Sequence, residues 1–388
     1  MNQRWSSLVE LLGEKGHLTE QWKRPFLAVD RERFIPETIW RPKPDGRGYL
    51  PVRRDEDPVA WREPIHRDEF IVTQVDDGVP ARPDGIGRSI TSSSSMPGVM
   101  AAMLKAMDVT DGLRVLEIGT GTGYNTALLC ERLGSEQVTT VEIDQEVSTH
   151  ARAALASAGY TPALVCADGE KGWPGRAPYD RVLSTVGVRG AVPSAWIEQT
   201  RPGGVIVTPW ATAYLAFALA RLVVDSDGTA SGRFADRAAF MDLRGRRPDR
   251  YIPQPDDQPG ATESTSPLHP WHVTGDFQGG AFAVSVLLPD CEQDVAYRSD
   301  DRSAYELLTW DTAHTSWATV EVNPQAQDAG RYPVRQYGPR HLWDEIEAAY
   351  AWWTRRERPD YTRFGLTVTP GRQWIWLDHP ADTVREFL

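Results

Sequence analysis

The stretch VLEIGTGTGYNTALL, residues 115–129, constrains this chain more than any other. An apolar run, interrupted only by Glu117, ends in Gly119, Gly121 and Gly123, and a helical pattern begins at once. An apolar run without alternation is buried on both faces, as in a parallel sheet. A parallel strand needs a crossover to reach its neighbour, and a helix supplies it. The same alternation continues through QVTTVEID, QEVSTHARAALASAG, ALVCADG, YDRVLSTVG, SAWIEQTRPGG and VIVTPW. This predicts a doubly wound α/β sheet. AYLAFALARLVVD and GRFADRAAFMDLRG, joined through a DG turn, are predicted to finish it as an antiparallel pair.

The glycine spacing narrows the ligand. A dinucleotide fingerprint, G-x-G-x-x-G, needs a glycine at 124, where this chain has Tyr124. Glu142 ends the next strand, and Asp168-Gly169 follows the third. An acid at the first place accepts the ribose hydroxyls, and one at the second accepts from the adenine amino group. Each feature alone is an ordinary turn or a solvated acid. In order, at three successive strand ends, they describe an adenosine site without a pyrophosphate, which is S-adenosyl-L-methionine. The predicted cofactor contacts are Gly119, Thr120, Gly121, Gly123, Tyr124, Glu142, Ile143, Asp168 and Gly169. Glu117 joins them with two roles open: holding the loop, or meeting the methionine amine.

The rest of the chain divides by composition. Residues 1–35 carry helical spacing, and 41–90, rich in Pro, Gly and Asp, reads as surface loops around one strand, EFIVTQV. Residues 1–245 form the α/β domain, 246–270 a Pro-rich linker, and 271–388 a smaller α+β domain. In that last part AFAVSVLLP and SWATVEV read as strands, RHLWDEIEAAYAWWTRRERP as a helix, and FGLTVTPGRQWIWLD as a hairpin. A net charge of −12 disfavours a nucleic-acid partner. No run of about 18 apolar residues is present, so no membrane span is expected. Cys130, Cys166 and Cys291 match no metal spacing, and with no signal-peptide pattern at the start the expected location is cytoplasmic.

The motifs in combination resemble the protein-L-isoaspartate O-methyltransferases. The resemblance rests on RERFIPE, VLEIGTGTGYNTALL, VEID, ADGEKGWPGRAPYDRVLSTVG, QTRPGGVIVTPW and DGTASGRFADRAAFMDLRG, covering about residues 1–245. It implies a seven-strand, Rossmann-like methyltransferase sheet and transfer of a methyl group from S-adenosylmethionine to a peptide carboxylate, leaving S-adenosyl-L-homocysteine. The family carries Thr-Ile-Ser-x-Pro just before the sheet. Aligned on Pro97, this chain has Ser93-Ser94-Ser95-Met96-Pro97. Ser95 takes the place of the active serine, and Ser93 and Ser94 replace Thr and Ile, making the pocket wall more polar. The C-terminal extension resembles the homologues of ribosomal peptide biosynthesis, lanthipeptide-like, which methylate an aspartate whose ester closes to an aspartimide. That resemblance implies a precursor peptide, already modified or cyclised, as partner. Repair of isoaspartyl proteins is the alternative.

Overall fold

In the computed structural model, which describes residues 3–79, 85–248, 251–255, 260–274, 279–299 and 302–387, the apolar strands do pair in parallel. Ala163–Cys166, Val138–Glu142, Val115–Ile118, Tyr179–Ser184 and Thr200–Ala211 lie side by side in that order. Every residue of Val115–Ile118 and Val138–Glu142 is buried, because helices cover both faces. Ala216–Val224 and Ala230–Arg237 add antiparallel at the far edge, completing the seven expected strands. On one face Leu128, Met103 and Trp22 build a core with the N-terminal helices Gln3–Glu14 and Glu20–Ala28. On the other, Val182, Ile206, Trp196 and Phe234 build a second.

The structure departs from the sequence reading in three places. Residues 41–90 are not loops around one strand. With Thr38–Pro42 they make a four-stranded antiparallel sheet, ordered Tyr49–Arg53, Thr38–Pro42, Ile71–Val75, Ile90–Ser94. Ile39, Trp61, Ile65 and Ile71 give it a core of its own. Pro42 and Pro51 hid these short strands, since proline inside a run argues against one. The serine run is its last strand, with Ser93 opposite Val72 and Ser94 opposite Ile71.

The expected C-terminal domain, 271–388, is divided between two sheets. Phe364–Thr369 pairs with Ala230–Arg237, and Arg372–Leu377 and Thr383–Phe387 follow, so these three, with the short Val188–Arg189 beside Thr200–Ala211, bring the first sheet to eleven strands. Phe364, Leu366 and Ile375 share one core with Leu222 and Phe234. A separate five-stranded antiparallel sheet holds Thr262–Ser266, Tyr332–Tyr337, Trp317–Val322, Tyr305–Asp311 and Cys291–Tyr297. The helix Leu342–Arg355 buries Leu342, Trp343, Ile346, Ala349 and Trp353, close to the stripe its sequence predicts.

AFAVSVLLP is the third departure. It lies in the helix Gly279–Leu287, of which residues 279–286 are buried. A short apolar run buried on all sides carries no period that separates helix from strand. Among the cysteines, Cys130 and Cys291 are buried but Cys166 is exposed. No helix among the described residues is long and apolar enough to cross a membrane.

A chain cut after Gly245 tests this architecture. It loses the strands that cover Ala230–Arg237 and the apolar side chains that complete that core. The expected outcome is aggregation on size-exclusion chromatography and loss of a single cooperative calorimetric transition. A monomeric fragment with the full-length melting temperature would show residues 1–245 to be independent after all.

Candidate active site

The glycine loop sits at the carboxyl end of the strand where the sheet order reverses, the usual ligand position in such sheets. Gly119, Gly121 and Gly123 have φ of +93°, +53° and +86°, which L side chains avoid. Gly119 has no room either: a Cβ would stand 2.8 Å from Thr185 Oγ1. Two buried carboxylates hold the loop. Glu142 accepts from the Gly121 amide at 2.9 Å and the Asp144 amide at 3.1 Å. Burial pushes its carboxyl above the ordinary range, and those two amides only partly oppose this. Glu117 is fully buried beneath the loop. It accepts from Asn125 Nδ2 at 2.7 Å, Thr126 Oγ1 at 2.5 Å and Thr140 Oγ1 at 2.7 Å.

The serine strand passes over this loop. A Cβ on Gly121 would lie 3.5 Å from the Ser93 carbonyl. Arg31, the first residue of RERFIPE, fixes the strand's end. Its guanidinium is 1% exposed and donates to the carbonyls of Ile65, Arg67, Glu69, Ser94 and Ser95, and to Ser94 Oγ at 3.3 Å. Burial pushes it down to about 10, so it keeps its charge at neutral pH. Ser94, 2% exposed, thus gives its hydroxyl oxygen to Arg31 while its residue still borders the cleft. Ser93, within the strand, and Ser95, just past its end, both line the cleft. Among the described residues neither hydroxyl has a hydrogen-bond partner.

One cleft gathers most of the expected residues. Ser93, Ser94, Ser95, Gly119, Thr120, Gly121, Tyr124, Glu142 and Ile143 line it. Four expected contacts stand outside the lining. Glu117 lies under the loop, and Gly123 packs toward Leu155. Asp168 caps its own turn through the Glu170 amide at 3.0 Å and meets Lys171 at 3.7 Å. Gly169 packs on Ile118, and its carbonyl accepts from Trp196 Nε1 at 2.9 Å. Both acids stand at strand ends, and Asp168 also caps the short helical turn that follows it.

The structure adds residues the sequence did not single out. Thr185 and Val186 line the cleft, as do Asp242, Arg244 and Arg247 from the segment that follows the sheet's seventh strand. Arg244 reaches Asp144 at 3.0 Å and Asp77 at 3.3 Å, and Arg247 reaches Asp77 at 2.8 Å. Gln74 links the four-stranded sheet to Asp144 at 3.2 Å. The run Arg244-Gly245-Arg246-Arg247 is a strap across the cleft, not a solvated basic face. The lining joins a glycine turn open to close approach, a buried carboxylate on Glu142 that accepts, and the hydroxyl residues Ser93, Ser95 and Thr120, so it fits a nucleoside carrying an amino acid such as S-adenosylmethionine.

Comparison with known proteins agrees. The family model for protein-L-isoaspartate(D-aspartate) O-methyltransferase matches residues 60–247. The protein-L-isoaspartate O-methyltransferase of Thermococcus sibiricus is 31% identical over 246 residues, covering 94% of that protein and 62% of this chain. The chain belongs to this family. A second relative, protein-L-isoaspartate O-methyltransferase 2 of a Polaromonas species, is 34% identical over 90% of its length and half of this chain. A solved structure titled protein-L-isoaspartate O-methyltransferase aligns with 97% of this chain and all of its own, at 21% identity and a TM-score of 0.52. That likeness shows the fold, and it runs across the C-terminal portion as well. The chain is a protein carboxyl O-methyltransferase, and the family's cofactor is S-adenosylmethionine.

Two measurements probe this construction. Arg31→Met strips five carbonyls of their donor and is expected to cost about 3 kcal/mol or more in urea unfolding. Arg247→Ala removes a partly exposed pair and should cost under about 1 kcal/mol. For Glu142 the sign follows from its raised carboxyl: the charged acceptor is lost as pH falls, and earlier than for an ordinary glutamate. S-adenosylhomocysteine affinity should therefore decline from neutral into mildly acid pH, and Glu142→Gln should flatten that decline in a titration series.

Proposed function

We propose that this methyltransferase esterifies the side-chain carboxylate of an ordinary aspartate in a ribosomally made peptide, and that the ester closes to an aspartimide. The observation that carries the carboxylate reading is the pair of hydroxyls on Ser93 and Ser95. They stand without protein partners, on a strand end pinned by Arg31, against the glycine loop.

The substrate carboxylate, with a pKa near ~4, is ionised at neutral pH and needs no general base. The chain's task is to orient one oxygen and keep water out. Ser95 donates to the carboxylate, and Ser93, lining the same cleft, steadies the second oxygen. Bound S-adenosylmethionine supplies an electrophilic methyl group. With the glycine loop and Glu142 holding the cofactor, the carboxylate held by Ser95 and Ser93 would accept that methyl, giving a neutral ester and S-adenosylhomocysteine. The next residue's backbone nitrogen then attacks the ester carbonyl, losing its proton as methanol leaves. A five-membered imide results.

The choice of aspartate over isoaspartate is supported by Ser93, which stands where the family carries threonine and leaves a smaller side chain lining the cleft. The second reading, repair of isoaspartyl residues, is favoured by the names of the relatives. Paired synthetic peptides, Asp against isoAsp at one site, separate them. The first reading expects methyl incorporation into the Asp peptide, followed by loss of methanol to a product one water lighter than the starting peptide. Methylation confined to isoAsp would establish repair. In either case Ser95→Ala is expected to lower kcat about tenfold or more through loss of a hydrogen bond to a charged group. An unchanged rate would remove Ser95 from the site.

A further inference from the structure

Arg31 carries a full positive charge into the interior, and among the described residues no carboxylate pairs with it. The acids close enough to act on it are Asp68 and Glu69, and both are engaged elsewhere. Asp68 Oδ1 accepts from the Gly98 amide at 2.6 Å, and Glu69 Oε1 meets Arg67 at 3.6 Å. The N–H groups of Arg31 go to five carbonyls and to Ser94 Oγ. Those dipoles satisfy the donors without cancelling the charge. A buried charge of this kind is costly, and it favours an anion close by.

The backbone shows on which side that anion can sit. The Ser93 carbonyl lies against the glycine loop, 3.5 Å from where a Cβ on Gly121 would stand. The next carbonyl, that of Ser94, turns to Arg31 at 3.2 Å. The peptide units here are trans, so each N–H points opposite to the C=O it is bonded with. The Ser95 amide hydrogen therefore points away from Arg31, to the side where the Ser93 carbonyl meets the loop. Among the described residues it has no acceptor, and Ser95 lines the cleft. Arg31 thus stands one peptide unit behind the cleft, and the donor end of that unit faces forward.

The reaction's charges say what such a group does. An anionic carboxylate and a cationic methyl donor give a neutral ester and a neutral thioether. A fixed positive charge behind the acceptor stabilises the bound carboxylate more than a transition state in which that charge is fading, so it acts on binding and selection and not on the chemical step. We propose that Arg31 is the positioning residue of the acceptor site: it aims the Ser95 amide at the cleft, and its charge makes the site choose an ionised carboxylate over a neutral group of the same shape. This rests on the carboxylate reading above.

The test uses the full chain saturated with S-adenosylhomocysteine, whose sulfur is neutral, so that a preference for an anion reports the protein alone. Calorimetric titration at neutral pH compares the peptide the enzyme methylates, Asp or isoAsp, with the counterpart whose side-chain carboxylate is an amide. Wild type is expected to bind the carboxylate peptide about tenfold or more tightly. Arg31→Gln, which keeps an NH2 donor without the charge, should bring the two affinities close together. Arg31→Lys, which keeps the charge and loses the fork, should retain most of the difference. In turnover, Arg31→Gln should raise KM for the peptide while kcat per cofactor-binding site holds. A merely structural arginine would lower the folded fraction for both peptides alike and leave the ratio unmoved. Equal affinities in wild type, a measurement that needs no variant to fold, would overturn the inference. So would an unaltered ratio in Arg31→Gln, or a ratio lost as fully in Arg31→Lys as in Arg31→Gln. An enzyme that methylated neither peptide would remove the carboxylate reading and this inference together.

Discussion

The turn from Val115–Ile118 into Tyr124–Leu133 brings three glycines with positive φ against a cleft, and it persists because buried carboxylates hold it from two directions. Glu142 grips the Gly121 amide from the neighbouring strand. Glu117 grips the first turn of the helix from below. A buried charge without partners is strongly destabilising, so each acid must be met by donors supplied by the loop, the helix or the next strand. That demand ties the loop's shape to the sheet register. It also decides which atoms remain open to a ligand.

A second buried charge sets the other wall. Arg31 is satisfied chiefly by backbone carbonyls, two of them from Ser94 and Ser95. A guanidinium with five N–H donors can gather several carbonyls that the chain cannot otherwise pair. It thereby converts a serine-rich stretch, which resembles slack chain, into a fixed edge opposite the glycine loop. The strap from Arg244 to Arg247 closes a third side through Asp77 and Asp144. Donor and acceptor groups from the N-terminal sheet, the central sheet and the segment after its seventh strand thus meet at one cleft.

Much of this was legible from local pattern. The parallel strands follow from uninterrupted apolar runs, and the glycine turn and the acid Glu142 follow from their places at strand ends. The four-stranded sheet was not legible, because Pro42 and Pro51 break the strand signal while edge pairing tolerates them. Nor was the helix Gly279–Leu287, where full burial erased the period. Asp168, expected at the adenine amino group from its strand-end position, also caps its own turn, a contact its sequence position did not reveal. Arg31 looked like one charge among many in RERFIPE, and its importance comes from carbonyls more than thirty residues away.

The sequence by itself determined the strand–loop–helix frame, the left-handed glycines, the carboxylate under the loop and the serine segment ahead of the sheet. Those features depend on periodicities of a few residues and on backbone sterics, which act within a short stretch. Only the tertiary structure decided that Ser94 serves Arg31 while Ser93 and Ser95 face the cleft. It alone laid the arginine strap across the cleft and carried the last strands back onto the first sheet. Those outcomes depend on which distant donors and acceptors must be paired once water is excluded, and that accounting closes only when the whole chain is folded.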